Sequence, residues 1–227
     1  MPNALTIFGV CLGLSSIKFA IDLNYSMAVV AIGFAAILDT LDGRVARLIK
    51  GTSKVGKELD SLTDVISFGV APGFVMYFWA LNELGKFGWM FVLIYAVCCA
   101  LRLARFNLTT IDESESWKIN FFEGVPSPAA AGLVLLPLLI FFEYEFFLLN
   151  NGYLNFVNII IVGFLMISKI PTFSIKSLNF NEKYKPWILL ILILICIFLI
   201  SKLWLTLVSI IIFYILTIFY TVYKNFI

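Results

Sequence analysis

Residues 37–64 read ILDTLDGRVARLIKGTSKVGKELDSLTD and hold four of the chain's six aspartates, Asp39, Asp42, Asp60 and Asp64. Apolar runs flank the stretch: MAVVAIGFAAIL before it (27–38) and VISFGVAPGFVMYFWAL after it (65–81). On a helix, Asp39, Asp42, Gly43, Ala46 and Arg47 recur every three or four positions and share one stripe. Asp60 and Asp64 are four apart and share a face of the helix that follows. The spacing predicts the facing ends of two antiparallel helices, with all four carboxylates meeting in one pocket.

The rest of the chain sets the solvent around that pocket. Of 227 residues, 62% are hydrophobic and 13% charged, and the mean hydropathy is +1.02. A soluble domain carries about 25% charged residues, so roughly half the usual solubilising surface is present. Apolar runs of about 20 residues can cross a bilayer as helices. Only helices or closed barrels satisfy the backbone in lipid, and strand-like alternation is absent. The expected fold is an all-α polytopic membrane protein with eight spans, near 3–21, 25–48, 59–82, 87–106, 126–148, 152–170, 186–201 and 203–222. Residues 1–180 would form a six-helix core, and 181–227 would add two nearly featureless C-terminal helices. The N-terminal run reads as a retained helix, since it lacks a basic leader and a small-residue cleavage site. No soluble domain is apparent, and no nucleic-acid partner is expected.

Basic residues orient the spans. With the N-terminus cytoplasmic, thirteen of the sixteen Lys and Arg residues fall on the cytoplasmic side, and only Lys18, Lys86 and Lys202 fall opposite. The aspartates then face the cytoplasm. Lys176, Lys183 and Lys185 read as solvated cytoplasmic charges. The chain has no His, which excludes histidine bases, His-ligated zinc and Ser-His triads. Cys11, Cys98, Cys99 and Cys196 lie in apolar runs without CxxC spacing and read as small buried hydrophobes.

Four acids in one partly desolvated pocket repel one another, and a divalent cation reverses that penalty. Mg²⁺ or Mn²⁺ prefers oxygen ligands and is held by carboxylates together with substrate phosphates. Four acids suit two metals about 3.5–4 Å apart, the arrangement that serves in-line displacement at phosphorus. Gly43 and Ala46 leave room for a large ligand, and Arg47 is suited to a phosphate. Two other readings compete: interfacial charges paired to Arg44, Arg47 and Lys57, or the binding site of a divalent-cation channel or transporter.

Written as a pattern, the stretch is D39-x2-D42-G43-x2-A46-R47-x8-G56-x3-D60-x3-D64. At every fixed position it resembles the signature of the CDP-alcohol phosphatidyltransferase family. PNALT (2–6) resembles the family's usual entry to its first helix, while LDSLTDVISFGVAPG (59–73), ALRLARFN (100–107), FFEGVPSPAAAG (121–132) and MISKIPTFSIK (166–176) resemble the serine-accepting, phosphatidylserine synthase branch. The likeness covers roughly residues 2–180. It implies that the hydroxyl of L-serine attacks the β-phosphorus of a CDP-linked lipid, CDP-diacylglycerol or CDP-archaeol, and that CMP leaves. By position, Asp39, Asp42, Asp60 and Asp64 would ligate two divalent ions, and Asp64 would also act as the base. Asn3, Thr6, Asp39, Asp42, Gly43, Ala46, Arg47, Gly56 and Asp60 would line the CDP site. A homodimer in the cell membrane is implied as well.

A free amino acid as acceptor needs a cation for its carboxylate. Arg102 and Arg105, one turn apart beside Asn107, are the candidate clamp, with Glu123 placed to meet the ammonium. Each arginine reads equally well as a positive anchor at a helix end, and Glu123 as a capping acid. Pro126 and Pro128 suit a helix start, where Ser127 would cap the helix or touch substrate. Gly69 and Gly73 around Pro72 predict close helix packing and a kink. Glycerol 3-phosphate, inositol phosphate or a second lipid are the rival acceptors, with Arg102, Arg105 and Lys118 as a basic cluster for a phosphorylated one.

Overall fold

The computed structural model describes residues 2–48, 54–109, 121–168, 170–173 and 185–226. Its helices follow the apolar runs closely. Helices α1 (Pro2–Ile21) and α2 (Tyr25–Leu48) form an antiparallel pair joined by a tight turn. There Leu23 adopts φ 59° and the Asn24 side chain accepts the Met27 amide. The third apolar run is not one regular helix. Helix α3 (Lys54–Asp64) passes into a π-helical segment, Val65–Val70, and then into α4 (Ala71–Trp79). Helix α5 (Lys86–Thr109) returns; α6 (Ser127–Tyr144), α7 (Gly152–Ile167), α8 (Lys185–Ser201) and α9 (Leu203–Phe226) complete the fold.

Among the described residues, six helical stretches are long and apolar enough to cross a bilayer: Ala4–Ile21, Tyr25–Arg44, Glu58–Trp79, Lys86–Asn107, Ser127–Tyr144 and Leu203–Tyr223. The other two expected spans, α7 and α8, have 16 and 17 residues. At 1.5 Å per residue their described lengths cover most of a hydrocarbon core about 30 Å thick, at the short end of the range of bilayer-crossing helices. Side chains such as Phe164, Ile200 and Phe213 point outward and exposed, as lipid contact requires. Cys11 and Cys196 also face outward, whereas Cys98 and Cys99 are buried. The expectation that all four cysteines are buried therefore fails for two, because an apolar helix in lipid has an apolar outside too.

Prolines in lipid need substitute donors, since each deletes a backbone N–H where no water replaces it. Pro137 lies inside α6. The carbonyl four residues earlier, Leu133, accepts Asn158 Nδ2 from α7 at 3.2 Å, and Val134 accepts it at 3.1 Å. Pro72 stands at the start of α4. Four residues earlier, the Phe68 carbonyl accepts the fully buried Tyr95 hydroxyl from α5 at 2.8 Å. The kink expected around Pro72 thus takes the form of the π segment. Its glycines admit α5: a Cβ at Gly69 would stand 2.9 Å from Cys99 Cβ, and one at Gly73 would stand 3.0 Å from Val92 Cγ1.

The all-α expectation needs one addition. Phe121–Glu123 (β1) pairs antiparallel with Pro171–Phe173 (β2), Phe122 opposite Thr172. Gly124 closes the ribbon at φ 77°, its N–H reaching the Ile170 carbonyl at 2.9 Å. A Cβ there would stand 2.6 Å from the Met166 carbonyl oxygen, so only glycine fits. Three-residue strands are too short to leave a periodic trace in the sequence.

Candidate active site

Helix α1 is the spine of the site, packing along α2 and also against α3, the π segment and α4. The expected antiparallel α2–α3 pair is therefore mediated by α1, while α2 meets the third span mainly through the π segment and α4. Asp39 and Asp42 lie toward the end of α2, and Asp60 and Asp64 lie in the second half of α3. Asp64 is the last residue before the π segment.

The structure brings the four carboxylates together. Asp39 stands within hydrogen-bonding reach of Asp60 and Asp64, and it feels the charge of Asp42. Asp60 in turn feels Asp42. Asp42 is buried, and its Oδ2 accepts the hydroxyl of Thr6 on α1, itself buried. Oδ1 of Asp42 and Oδ1 of Asp64 are buried with no hydrogen-bond partner. Two unpartnered carboxylate oxygens in a crowd of four acids call for a cation. The all-oxygen donor set suits Mg²⁺ or Mn²⁺. Among the described residues, no three acids or cysteines are set to hold one ion. Gly43 is exposed on the same helix end, and a Cβ there would meet nothing within 4 Å. Gly56 is half-buried on α3. The side chains of Asn3, Ala46 and Arg47 lie outside the described residues, as do Lys118 and Lys176.

The acceptor residues separate. Arg102 is buried, donates to Ser127 Oγ at 2.9 Å and interacts with Asp64, and its Nε has no partner. Arg105 turns the other way, donating to the carbonyls of Ile167 and Ser168 at 2.9 and 3.3 Å. The paired clamp is thus not formed. A three-residue step leaves side chains about 60° apart around the axis, enough to send them into different seams of α5. Arg105 closes the carbonyl end of α7, where a cation is favoured. Asn107 donates to Ser61 Oγ at 3.0 Å, between Asp60 and Asp64 on α3. Ser127 is fully buried and makes no cap bond at the start of α6, which Pro126 caps by position. The capping role expected of Ser127 gives way to the bond from Arg102. Glu123 sits on β1 opposite Pro171, and its side chain lies outside the described residues.

Two groups enter this neighbourhood that the sequence did not mark. The buried thiol of Cys99, one turn before Arg102, lies against Ser127 and near Asp64. Tyr214, on α9, interacts with Arg102.

Residues 1–168 match the profile of the CDP-alcohol phosphatidyltransferase family. The chain belongs to that family. Relatives named CDP-diacylglycerol–serine O-phosphatidyltransferase are similar over most of its length. That of Helicobacter pylori is 40% identical over 86% of this chain and 80% of its own. That of Bacillus subtilis is 35% identical over 75% and 88%. That of Mycobacterium tuberculosis is 36% identical over 85% of this chain but 67% of its own length, so the chain spans about two thirds of that relative. As a CDP-alcohol phosphatidyltransferase with six bilayer-length helices, the protein is an integral membrane transferase.

Proposed function

We propose that the protein transfers the phosphatidyl group of CDP-diacylglycerol to the hydroxyl of L-serine, releasing CMP. The observation that carries this reading is the meeting of Asp39, Asp42, Asp60 and Asp64 beside a buried, incompletely bonded Arg102. The relatives' names supply the substrates. Two divalent ions, Mg²⁺ or Mn²⁺, held by the four aspartates would neutralise the diphosphate and the leaving CMP. The nucleotide lies along the exposed Gly43 side of α2. With no histidine in the chain, a carboxylate is the natural base. Asp64, at the junction of α3 and the π segment, takes the serine hydroxyl proton. The serine oxygen forms a bond to the β-phosphorus in line with the departing CMP oxygen. Arg102 faces the acceptor carboxylate.

The position of Arg105 bears on the rival acceptors. A phosphorylated alcohol needs several cations, and Arg105 is engaged on α7 backbone. Family membership leaves the cation-transport reading without support. The site faces the cytoplasm in this reading, which the thirteen-to-three distribution of lysine and arginine supports. The test is labelled serine incorporation from CDP-diacylglycerol with Mg²⁺ or Mn²⁺, wild type against Asp64→Asn. The expected result is metal-dependent labelled lipid with wild type and a loss of at least about a thousandfold in the variant. Incorporation of glycerol 3-phosphate in place of serine would refute the acceptor; full activity of Asp64→Asn would remove the base.

A further inference from the structure

The family match ends at residue 168, and nothing in it gives α9 a role. Yet α9 packs lengthwise on α6. Trp204, at its start, meets Phe142, near the end of α6, with ring centroids 4.7 Å apart. Two turns on, Ile211 lies 3.4 Å from where a methyl on Gly132 would stand. The two helices therefore run antiparallel, and position 214, one turn beyond Ile211, comes level with the start of α6. Ser127 is the first residue there, already bonded to Arg102. The Tyr214 hydroxyl is buried, and Arg102 feels it. Four polar groups from three spans outside the α1–α2 pair thus surround one point near Asp64: Arg102 and Cys99 from α5, Ser127 from α6 and Tyr214 from α9. Arg102 is 8% exposed and has an unpartnered Nε. A buried guanidinium with an open donor selects a small anion.

We propose that Tyr214 is a specificity-determining residue: α9 places its hydroxyl beside Arg102 and Ser127 to hold the carboxylate of the acceptor amino acid. This rests on serine being the acceptor. The phenol donates one hydrogen bond to a carboxylate oxygen and Arg102 supplies the charge, while the acceptor's own hydroxyl stays free to meet Asp64. The last helix is then part of the acceptor site rather than an added lipid-facing span.

The test is steady-state kinetics of the full-length protein in detergent, comparing wild type, Tyr214→Phe and Tyr214→Leu. Serinol, which replaces the serine carboxylate with a hydroxymethyl group, serves as competing acceptor. Tyr214→Phe should raise the KM for serine about tenfold, the loss expected for a hydrogen bond to a charged group, with the KM for CDP-diacylglycerol unchanged. The preference for serine over serinol should fall by a similar factor in both variants; as a ratio within one protein, it is insensitive to the fraction folded. An unchanged ratio and serine KM in Tyr214→Phe would overturn the proposal while leaving the serine reading intact. Equal rises in both substrates' KM with the ratio preserved would make Tyr214 a packing residue and overturn it too. Failure of the wild type to use serine while it accepts another alcohol would instead refute the function itself, and the proposal with it.

Discussion

Replacing Tyr95 by Phe removes one oxygen from the centre of the protein and tests what aims Asp64. The hydroxyl donates to the Phe68 carbonyl at 2.8 Å, and Tyr95 is fully buried, so no lipid or water donor can take its place. An unmet buried acceptor costs about 1–3 kcal/mol, while hydrogen bonds between membrane helices measure about 0.6 and at most about 1.7 kcal/mol. Their overlap gives about 1–2 kcal/mol. For a chain of this size that lowers Tm by about 3–6 °C. The π segment begins directly after Asp64. If half of the loss appears as misalignment of Asp64, about 0.7 kcal/mol, turnover falls about threefold. The control is Tyr25→Phe, which removes a hydroxyl bond of 2.9 Å to the Phe78 carbonyl at the far end of α4. It should lower Tm without slowing turnover. The assay is thermal unfolding in detergent alongside kcat at saturating serine. Wild-type Tm and kcat in Tyr95→Phe, or equal slowing by Tyr25→Phe, would refute the idea that the capped π segment aims the base.

Two further substitutions probe the groups around it. Thr6→Val removes the hydroxyl that orients Asp42 and should raise the Mn²⁺ concentration for half-maximal activity about tenfold, the scale of an outer-shell ligand loss; Thr6→Ser should restore it. Arg105→Ala should lower Tm by about 2–4 °C, since a cation closing a helix end contributes up to about 1 kcal/mol. Its serine KM should stay within about twofold, and a rise matching that of Arg102→Ala would reinstate the paired clamp.

How much of this was legible in the sequence depended on whether one helical period decided the matter. Asp60 and Asp64, four apart, share a face, and Asp39 and Asp42, three apart, lie on one side of α2; the four could be read as one site because both pairs sit at the facing ends of consecutive spans, with α1 packed between them. Arg102 and Arg105 could not be separated that way. Their spacing says they are near each other, but only the neighbours of α5 say that one seam holds Ser127 and the other the end of α7. Cys99 and Tyr214 were invisible for the same reason: each matters through a residue distant in sequence, Ser127 lying 28 positions after Cys99 and Arg102 lying 112 before Tyr214. The π segment left one signal, Pro72 between two glycines, which predicts a disturbance without saying that the helix would widen. The ribbon of Phe121–Glu123 with Pro171–Phe173 left none.

The two capped prolines carry a consequence for how this molecule moves. The carbonyl four residues before each proline, Phe68 or Leu133, is met from a neighbouring helix, and Leu133 shares its donor with Val134. A slide of one residue, 1.5 Å along the axis, would take Tyr95 off Phe68 or Asn158 off Leu133 and strand a carbonyl in hydrocarbon. The bonds therefore act as registration pins, joining the third span to α5 and α6 to α7. Tilting about a pin keeps its bond; sliding past it does not. Opening of the site to a lipid substrate is thereby directed into rocking of whole helix pairs, with Asp39 and Asp42 carried on the α1–α2 side and Asp60, Asp64 and Arg102 on the pinned side.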